Sequence, residues 1–327
     1  MMPGVPPAHT SQGVWGAAYG IRPSDGQSRL VMSQTTGSGA AHYQLAAAER
    51  LGPEALVLAP LNQPQTLLRL DRRTLERSTF GPAYSESPAV VGIRCLARLD
   101  AGSLAALSVV NEGSAVFRID RIDAATGARS VLSGSAVGTG PALRYSTDGR
   151  QLLAAQPGGK LFLRQQGATS GTFQLIEIDP ATGNRTLLYE QASGTPAGNP
   201  FTGSSGEIVA DADGRVYCWS GGGGQGTELW RYDPGEGGGE FAPFSGASAG
   251  GGAGTGKFTL AAASPDGRHL MGLESSLEDL VWIDRATGER RMVEYPRPLT
   301  GDAPPLTEFL PWSSLLFDVP GSGFVVY

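Results

Sequence analysis

The sequence contains few cysteines, few histidines and few charged residues. Its 327 residues include only two cysteines, Cys95 and Cys218, which lie in different sequence repeats. We therefore expect no disulfide between them and interpret both as small buried apolar residues. The three histidines show no spacing typical of metal ligands, so the sequence has no metal signature of the histidine or cysteine kind. A charged fraction of 17% argues against a coiled coil or an acidic disordered chain.

Other missing features limit the possible partners. No apolar run approaches the ~20 residues that a membrane-spanning helix needs, so we predict no membrane span. The net charge is -6, and the sequence lacks the cluster of lysine and arginine that nucleic-acid binding requires. Residues 1–7 have neither the basic start nor the apolar core of a signal peptide. This leaves the compartment open: cytoplasmic, or periplasmic or extracellular if a leader was removed.

Glycine and proline, by contrast, are abundant, with 48 and 23 residues. This composition is typical of many short strands joined by tight turns. The pattern Ile-Asp-x-Ala-Thr-Gly-x-Arg occurs at residues 122–129, 178–185 and 283–290, with weaker copies beginning at Leu70 and Tyr232. The copies recur about every 50 residues, which indicates an array of repeated supersecondary units.

Each repeat predicts two β-hairpins. Runs with period-two alternation, such as residues 173–178 and 185–189, flank the repeated turn. The aspartate of the turn can accept bonds from backbone N–H groups and its glycine supplies a positive φ, so we interpret both as turn formers. One aspartate per repeat does not gather the oxygen ligands that calcium prefers. A second hairpin signal, Asp-Gly-Arg, begins at Asp148, Asp213 and Asp266. Two hairpins give the four antiparallel strands of a propeller blade.

The two ends of the chain predict one shared blade. Residues 21–31 align without gaps on residues 283–293, so they correspond to the second hairpin of a blade whose first hairpin is missing. Residues 309–327 supply the complement, two strands around a glycine turn. We therefore predict an all-β fold, a six-bladed β-propeller whose last blade is closed by both termini, with seven blades as the alternative.

The predicted boundaries follow from this alignment. A flexible segment at residues 1–11 precedes a single propeller domain at residues 12–327. The predicted blades cover residues 41–79, 89–132, 142–188, 206–243, 258–293, and 309–327 together with 12–34.

Residues near the start of the innermost strands form the candidate binding site, because these positions converge at the mouth of a propeller channel. They are Glu207, Lys257 and Glu308, with Arg144 and Arg94 further along their strands. Two interpretations remain open: these charges bind a polar ligand, or they solvate the channel. We assign no catalytic, cofactor-binding or metal-binding residue. Residues 251–257 look like a phosphate-binding loop, but Phe258 stands where that motif requires serine or threonine, so we do not expect a nucleotide.

The repeated turn, residues 138–143 and the Asp-Gly-Arg hairpins together resemble bacterial β-propellers of the NHL, YVTN and TolB-like kind. That resemblance covers roughly residues 60–295 and implies a non-catalytic binding or scaffold module that presents a face or its rim loops to a protein, peptide or glycan. It implies no cofactor and leaves the oligomeric state open.

A second, weaker resemblance is to gluconolactonase-type propellers. It is carried by residues 264–267, Ser-Pro-Asp-Gly, followed by Glu274-Ser275. Lys257-Phe258-Thr259 stands where that family has a metal-binding asparagine. The resemblance implies the alternative of a metal-dependent lactonase or esterase with altered ligands, which would hold calcium or zinc near Glu207 and Glu308.

Overall fold

A computed structural model gives the structure of the chain. The described residues are 18–21, 27–32, 45–52, 54–60, 63, 65–84, 88–145, 153–156, 158–168, 172–190, 208–219, 228–235, 239–246, 249–252, 258–264, 268–274, 279–292, 300–301, 315–317 and 324–326.

Every helix or strand assigned among these residues is a β-strand. In chain order they are β1 (Ala18–Ile21), β2 (Gln27–Met32), β3 (Leu45–Gly52), β4 (Ala55–Pro60), β5 (Leu67–Asp71), β6 (Arg77–Phe80), β7 (Val90–Arg98), β8 (Ser103–Asn111), β9 (Ala115–Asp123), β10 (Arg129–Ser133), β11 (Leu153–Ala155), β12 (Leu161–Gln166), β13 (Phe173–Ile178), β14 (Arg185–Glu190), β15 (Ile208–Ala210), β16 (Val216–Trp219), β17 (Leu229–Asp233), β18 (Glu240–Ser245), β19 (Phe258–Ala263), β20 (His269–Glu274), β21 (Asp279–Asp284), β22 (Arg290–Met292), β23 (Thr300–Gly301), β24 (Leu315–Phe317) and β25 (Phe324–Val326). The described part of the chain contains no helix long and apolar enough to cross a bilayer.

Five sheets consist of four consecutive antiparallel strands each. We call them blade 1 (β3–β6), blade 2 (β7–β10), blade 3 (β11–β14), blade 4 (β15–β18) and blade 5 (β19–β22). A further sheet, the closing sheet, has the strand order β23-β2-β1-β25-β24 and combines strands from both ends of the chain.

The first strand of each blade lies on the inside of the assembly. β3 contacts β7, β7 contacts β11, β11 contacts β15, β15 contacts β19, and β19 contacts β24 of the closing sheet. The sheets therefore follow one another in chain order around a common axis. Their later strands lie progressively further from that axis.

The predicted number of blades needs correction. The structure has five four-stranded blades, not six or seven. The closing sheet differs from a blade because β23 adds a fifth strand, which pairs in parallel with β2 through Gln27 and Thr300. This extra strand covers the edge that β2 would otherwise expose. The predicted pairing of the two chain ends is confirmed, since Tyr19 of β1 lies opposite Val326 of β25.

The apolar core is divided among the interfaces between neighbouring blades. Each of four buried clusters combines side chains from two consecutive blades. They include Val57 and Ile93 (blades 1 and 2), Leu107 and Leu163 (blades 2 and 3), Phe162 and Val216 (blades 3 and 4), and Tyr217 and Val281 (blades 4 and 5). All six residues of β4 are buried, so the side chains on both faces of this apolar strand are shielded from solvent. Cys95 and Cys218 are buried in two of these clusters, as predicted.

Candidate functional site

The repeated turns were the most conspicuous candidates in the sequence, and the structure shows how each one is built. Asp123 Oδ1 accepts hydrogen bonds from the backbone N–H groups of Ala125 at 3.1 Å and Thr126 at 2.7 Å. Asp284 accepts the same bonds within its own copy of the turn, from the N–H groups of Ala286 and Thr287. Bonds to the Thr126 hydroxyl and N–H lower the pKa of Asp123. The prediction that these aspartates are turn formers is confirmed.

The same turns also join neighbouring blades. Gly183, in the turn of blade 3, accepts a 2.8 Å hydrogen bond from Ser133 Oγ at the end of blade 2. Gly138 packs directly on Gly183: a Cβ on Gly138 would lie 2.0 Å from the Gly183 carbonyl oxygen. Gly138 has a φ of 76°. This pair of glycines allows two backbones to touch where any side chain would hold them apart.

The arginine that ends the turn completes this contact, which we call the clasp. Arg185 is buried, and its Nε donates to the Pro141 carbonyl at 2.7 Å. Its Nη1 donates to Ser133 Oγ, and to the carbonyls of Gly134 and Val137, at distances of 2.8 to 3.1 Å. Ser133 ends blade 2, and the other three acceptors belong to the segment that connects blade 2 to blade 3. Burial lowers the pKa of Arg185.

A second clasp joins blades 4 and 5. Arg290 Nη1 donates to Ser245 Oγ at 2.9 Å, and the Arg290 N–H donates to the Gly251 carbonyl at 2.7 Å. Gly250 and Gly252 have positive φ values and lie against the backbone of the next turn. Gly252 belongs to the segment that looks like a phosphate-binding loop, and here it serves a contact between blades. Residues 253–257 lie outside the described residues.

Blades 1 and 2 meet through an aromatic version of the clasp. The Arg129 guanidinium lies 5.5 Å from the centre of the Tyr84 ring, and its Nη2 donates to the Gln65 carbonyl at 3.3 Å. The Tyr84 hydroxyl accepts a bond from buried Arg118, which forms a 2.8 Å ion pair with buried Asp120. The repeated residues are therefore used in holding blades together.

The innermost strands are where a ligand in the channel would make contact, and most carry small apolar residues, such as Ala46–Ala48 in β3 and Ala154–Ala155 in β11. Strand β7 also carries two arginines, Arg94 and Arg98. Its pairing with β8 shifts register twice, as the pairing of β3 with β4 does, and leaves Val91 and then Arg94 unpaired. Each is the extra residue of a β-bulge, a feature that redirects side chains and is common beside binding sites.

Both bulged residues reach solvent. Val91 is 54% exposed, the largest value among the described large apolar side chains. Arg94 is half-buried and its Nη2 donates to the Tyr145 hydroxyl at 2.5 Å. The Arg94 guanidinium also lies 5.5 Å from the centre of the Tyr145 ring, whose edge contacts Phe117. Arg94 of blade 2 is thus held against the segment that leads into β11.

Arg144, the neighbour of Tyr145, is exposed. Its backbone N–H donates to Oε1 of buried Gln165 at 2.9 Å, and Gln165 Nε2 donates to the Ala142 carbonyl at the same distance. Gln165 thereby fixes the backbone on both sides of Leu143. We call Val91, Arg94, Arg144 and Tyr145 the arginine site.

Of the residues predicted at the channel mouth, the structure describes Arg144 and Arg94. Tyr145 links the two positions, since it follows Arg144 in the chain and accepts a hydrogen bond from Arg94. Glu207, Lys257 and Glu308 lie outside the described residues, as do His9 and His42. His269 packs edge-on against Trp282. Among the described residues, no group of three or more histidine, cysteine, aspartate or glutamate side chains has an arrangement that could hold a metal ion.

One ionisable residue of the inner strands was missed in the sequence. Glu49 of β3 accepts a 2.7 Å bond from the Arg50 N–H, and burial raises its pKa to about 7. Arg98 of β7 donates to the Arg50 carbonyl at 2.9 Å and so links the two inner strands there. The available signal was an acidic residue directly after three alanines in an inner strand.

Antiparallel blades arranged radially around their first strands define this chain as a β-propeller. Solved structures agree. A chain of the nidogen/laminin complex matches with a TM-score of 0.51 and 10% sequence identity, over 87% of this chain and 95% of that chain. A structural genomics protein of unknown function from Bacteroides thetaiotaomicron VPI-5482 matches with a TM-score of 0.54 and 12% identity, over 95% of this chain and 76% of that chain. No family model matches, and the search of curated proteins found no match.

Proposed function

We propose that the protein is a non-catalytic propeller module that binds a protein, peptide or glycan partner. The observation that carries this proposal is the arginine site. There an inner strand departs from regular pairing and directs one arginine toward the connection between two blades, beside a second, exposed arginine. Buried arginines elsewhere, such as Arg185, already have several protein acceptors. A half-buried and an exposed arginine on neighbouring segments are typical of recognition surfaces.

Two further observations support a binding role. The arginines and glycines of the repeated turns are used in the clasps, so their recurrence needs no separate function. The fold is shared with a chain of the nidogen/laminin complex, an assembly of two proteins. This favours a protein partner for the present chain.

We also propose that the closing sheet completes the ring between blade 5 and blade 1. Strands β24, β25, β1 and β2 follow the order expected of a blade, with β24 innermost beside β19. On this proposal the chain follows the closure used by propellers of the NHL, YVTN and TolB-like kind, which the sequence resembles.

The test is a binding screen of the immobilised full chain against a display library of short peptides and an array of glycans. We expect saturable binding that a chelator leaves unchanged, and that the exposed-charge substitution Arg144→Glu weakens. Arg291→Glu, an equal change of net charge on the exposed face of β22, is the control. Metal-dependent hydrolysis of lactone or ester substrates by the purified chain, abolished by chelation, would contradict the proposal and support the hydrolase alternative.

A further inference from the structure

We infer that the arginine site takes an acidic peptide segment of a protein partner, with a carboxylate held between Arg94 and Arg144. This inference rests on the proposed binding function and names the chemistry of its ligand. Carboxylates are the natural partners of guanidinium groups, because the planar fork of N–H donors matches two carboxylate oxygens.

Arg94 is oriented but not neutralised. Its Nη2 is used by the Tyr145 hydroxyl, and among the described residues it has no acidic partner. The remaining N–H donors of a guanidinium are then available to an incoming anion. Because the Tyr145 hydroxyl accepts from Arg94, its own hydrogen can be donated to the same ligand. Tyr145 thus holds the Arg94 side chain in place and adds a hydrogen-bond donor of its own.

Arg144 adds the second charge. It is exposed, and within the described part of the chain no carboxylate pairs with it. The bond from its N–H to Gln165 fixes the backbone from which the side chain extends. A ligand therefore contacts Arg94, which is already held in place, and Arg144, whose side chain can adjust. Binding costs less side-chain entropy at Arg94 because its side chain is already ordered.

The apolar surroundings favour a peptide over a glycan. Val91 is exposed on the same strand as Arg94 and offers an aliphatic contact for a neighbouring side chain. The Tyr145 ring packs at 66° to the Phe117 ring and has the Arg94 guanidinium 5.5 Å from its centre, so these contacts leave less of the ring for a sugar to stack on. The large apolar side chains exposed among the described residues, Val91 and Leu187, are both aliphatic.

Because the chain as a whole is negatively charged, only the positive charges close to the ligand favour this binding. A net charge of -6 repels an acidic partner at long range. At physiological salt the screening length is about 8 Å, so the two nearby arginines determine the interaction at contact. Added salt should therefore weaken the complex.

The experiment uses short fluorescein-labelled peptides of random sequence with a central Glu-Glu pair, and a matched set with Gln-Gln, measured by fluorescence anisotropy against the full chain. We expect the glutamate peptides to bind at least about tenfold more tightly than the glutamine peptides. Arg144→Glu should remove that preference, while the charge-matched Arg291→Glu should retain it. Arg94→Lys, which keeps the charge but not the fork, should lose part of it. Circular dichroism and the Tm verify that each variant is folded.

Three results would overturn the inference. The first is equal binding of the two peptide sets, and the second is equal behaviour of Arg144→Glu and Arg291→Glu. The third is stronger binding of a sulfated oligosaccharide than of any glutamate peptide, with the same dependence on Arg144, which would assign the site to an acidic glycan. If the library screen still finds saturable neutral peptides, the binding function stands and only the acidic ligand is rejected. If the screen finds nothing, the function itself fails.

Discussion

At the scale of single residues, glycines at the contacts between blades determine how closely two blades can approach. We expect Gly138→Ala to lower the free energy of unfolding by roughly 2 to 5 kcal/mol, the sum of a left-handed backbone penalty and an overpacked contact. The added Cβ would lie 2.0 Å from the Gly183 carbonyl oxygen, a backbone atom that has little room to move. Urea unfolding followed by circular dichroism measures the loss.

Gly158→Ala is the matched control for this substitution. Gly158 also has a positive φ, of 67°, but nothing lies within 4 Å of the position its Cβ would take. It should therefore show only the backbone penalty, about 1 to 2 kcal/mol. Equal losses in the two variants would mean that the contact between Gly138 and Gly183 contributes nothing.

Glu49 makes stability depend on pH. Its folded-state pKa of about 7 exceeds the 4.5 of an ordinary glutamate, so the folded chain holds a proton that the unfolded chain releases. Stability is therefore greatest at low pH in this respect, and it falls as pH rises from about 4.5 to about 7, by no more than ~3 kcal/mol. Urea unfolding at pH 5 and pH 8 should show the decrease.

Glu49→Gln should make this part of the pH dependence disappear, since an amide does not titrate. At pH 8 the variant should be at least as stable as the parent chain, because it avoids burying a charge. A pH profile unchanged by the substitution would show that Glu49 titrates normally.

The turns illustrate how far single residues were predictable. The aspartate and glycine of each copy were assigned correctly, because their bonds lie within a few residues of chain. The role of Arg185 was not foreseen. Its acceptors are mostly backbone carbonyls of the segment between blades 2 and 3. Every residue has a backbone carbonyl, so no residue type in the sequence indicates this contact.

At the scale of elements, the clasp is the device that couples one blade to the next. We expect Arg185→Met to reduce the free energy of unfolding by roughly 2 to 4 kcal/mol, because it leaves buried acceptors such as the Pro141 carbonyl without a donor. Arg290→Met should also reduce it, because Arg290 donates to Ser245 Oγ and to the Ala249 carbonyl in the second clasp. Urea unfolding of both variants measures the loss.

Arg291→Met is the control for the clasp variants. Arg291 is next to Arg290 but exposed on the outer strand of blade 5, so its loss should change stability by less than about 0.5 kcal/mol. If Arg185→Met changed the free energy of unfolding as little as Arg291→Met, the hydrogen bonds of the clasp would not contribute to stability.

The bulges of β7 show what the sequence could not indicate about the site. Arg94 was noted as a charged residue along an inner strand, yet nothing in residues 90–98 signals that two of them fall out of register. An extra residue in one strand is defined only by its pairing with the next. Tyr145 and Val91 were missed for the same reason, since their significance depends on where Arg94 points.

At the scale of the whole molecule, the closing sheet predicts a specific sensitivity to truncation. Removing residues 1–34 deletes β1 and β2 and leaves β24 and β25 as a two-stranded hairpin with an open edge. Such a hairpin is marginal alone and its edge invites pairing with other chains. We expect a lower Tm and a larger apparent mass by size-exclusion chromatography with light scattering.

Deletion of residues 1–11, which the sequence predicts to lie outside the blades, is the control and should preserve both Tm and mass. A truncation of residues 1–34 that behaves like this control would contradict the closing role of β1 and β2.

The closing sheet also shows the reach of sequence analysis at this scale. The pairing of the two chain ends was predicted because residues 21–31 align with a repeat whose position in a blade was known. The parallel strand β23 was not predicted. Its two residues, Thr300 and Gly301, carry no strand signal of their own and pair because β2 offers a free edge.

The same sheet imposes an order on how the protein is made. Strands β1 and β2 are synthesised early, but their partners in β24 and β25 follow only after residues 33–314. At about 5 to 20 residues per second on the ribosome, this interval is roughly 15 to 60 s. During that time the early strands lack their native neighbours while five blades are completed beside them. Delivery of the last strand, rather than formation of any blade, is then the step at which the closing sheet is completed.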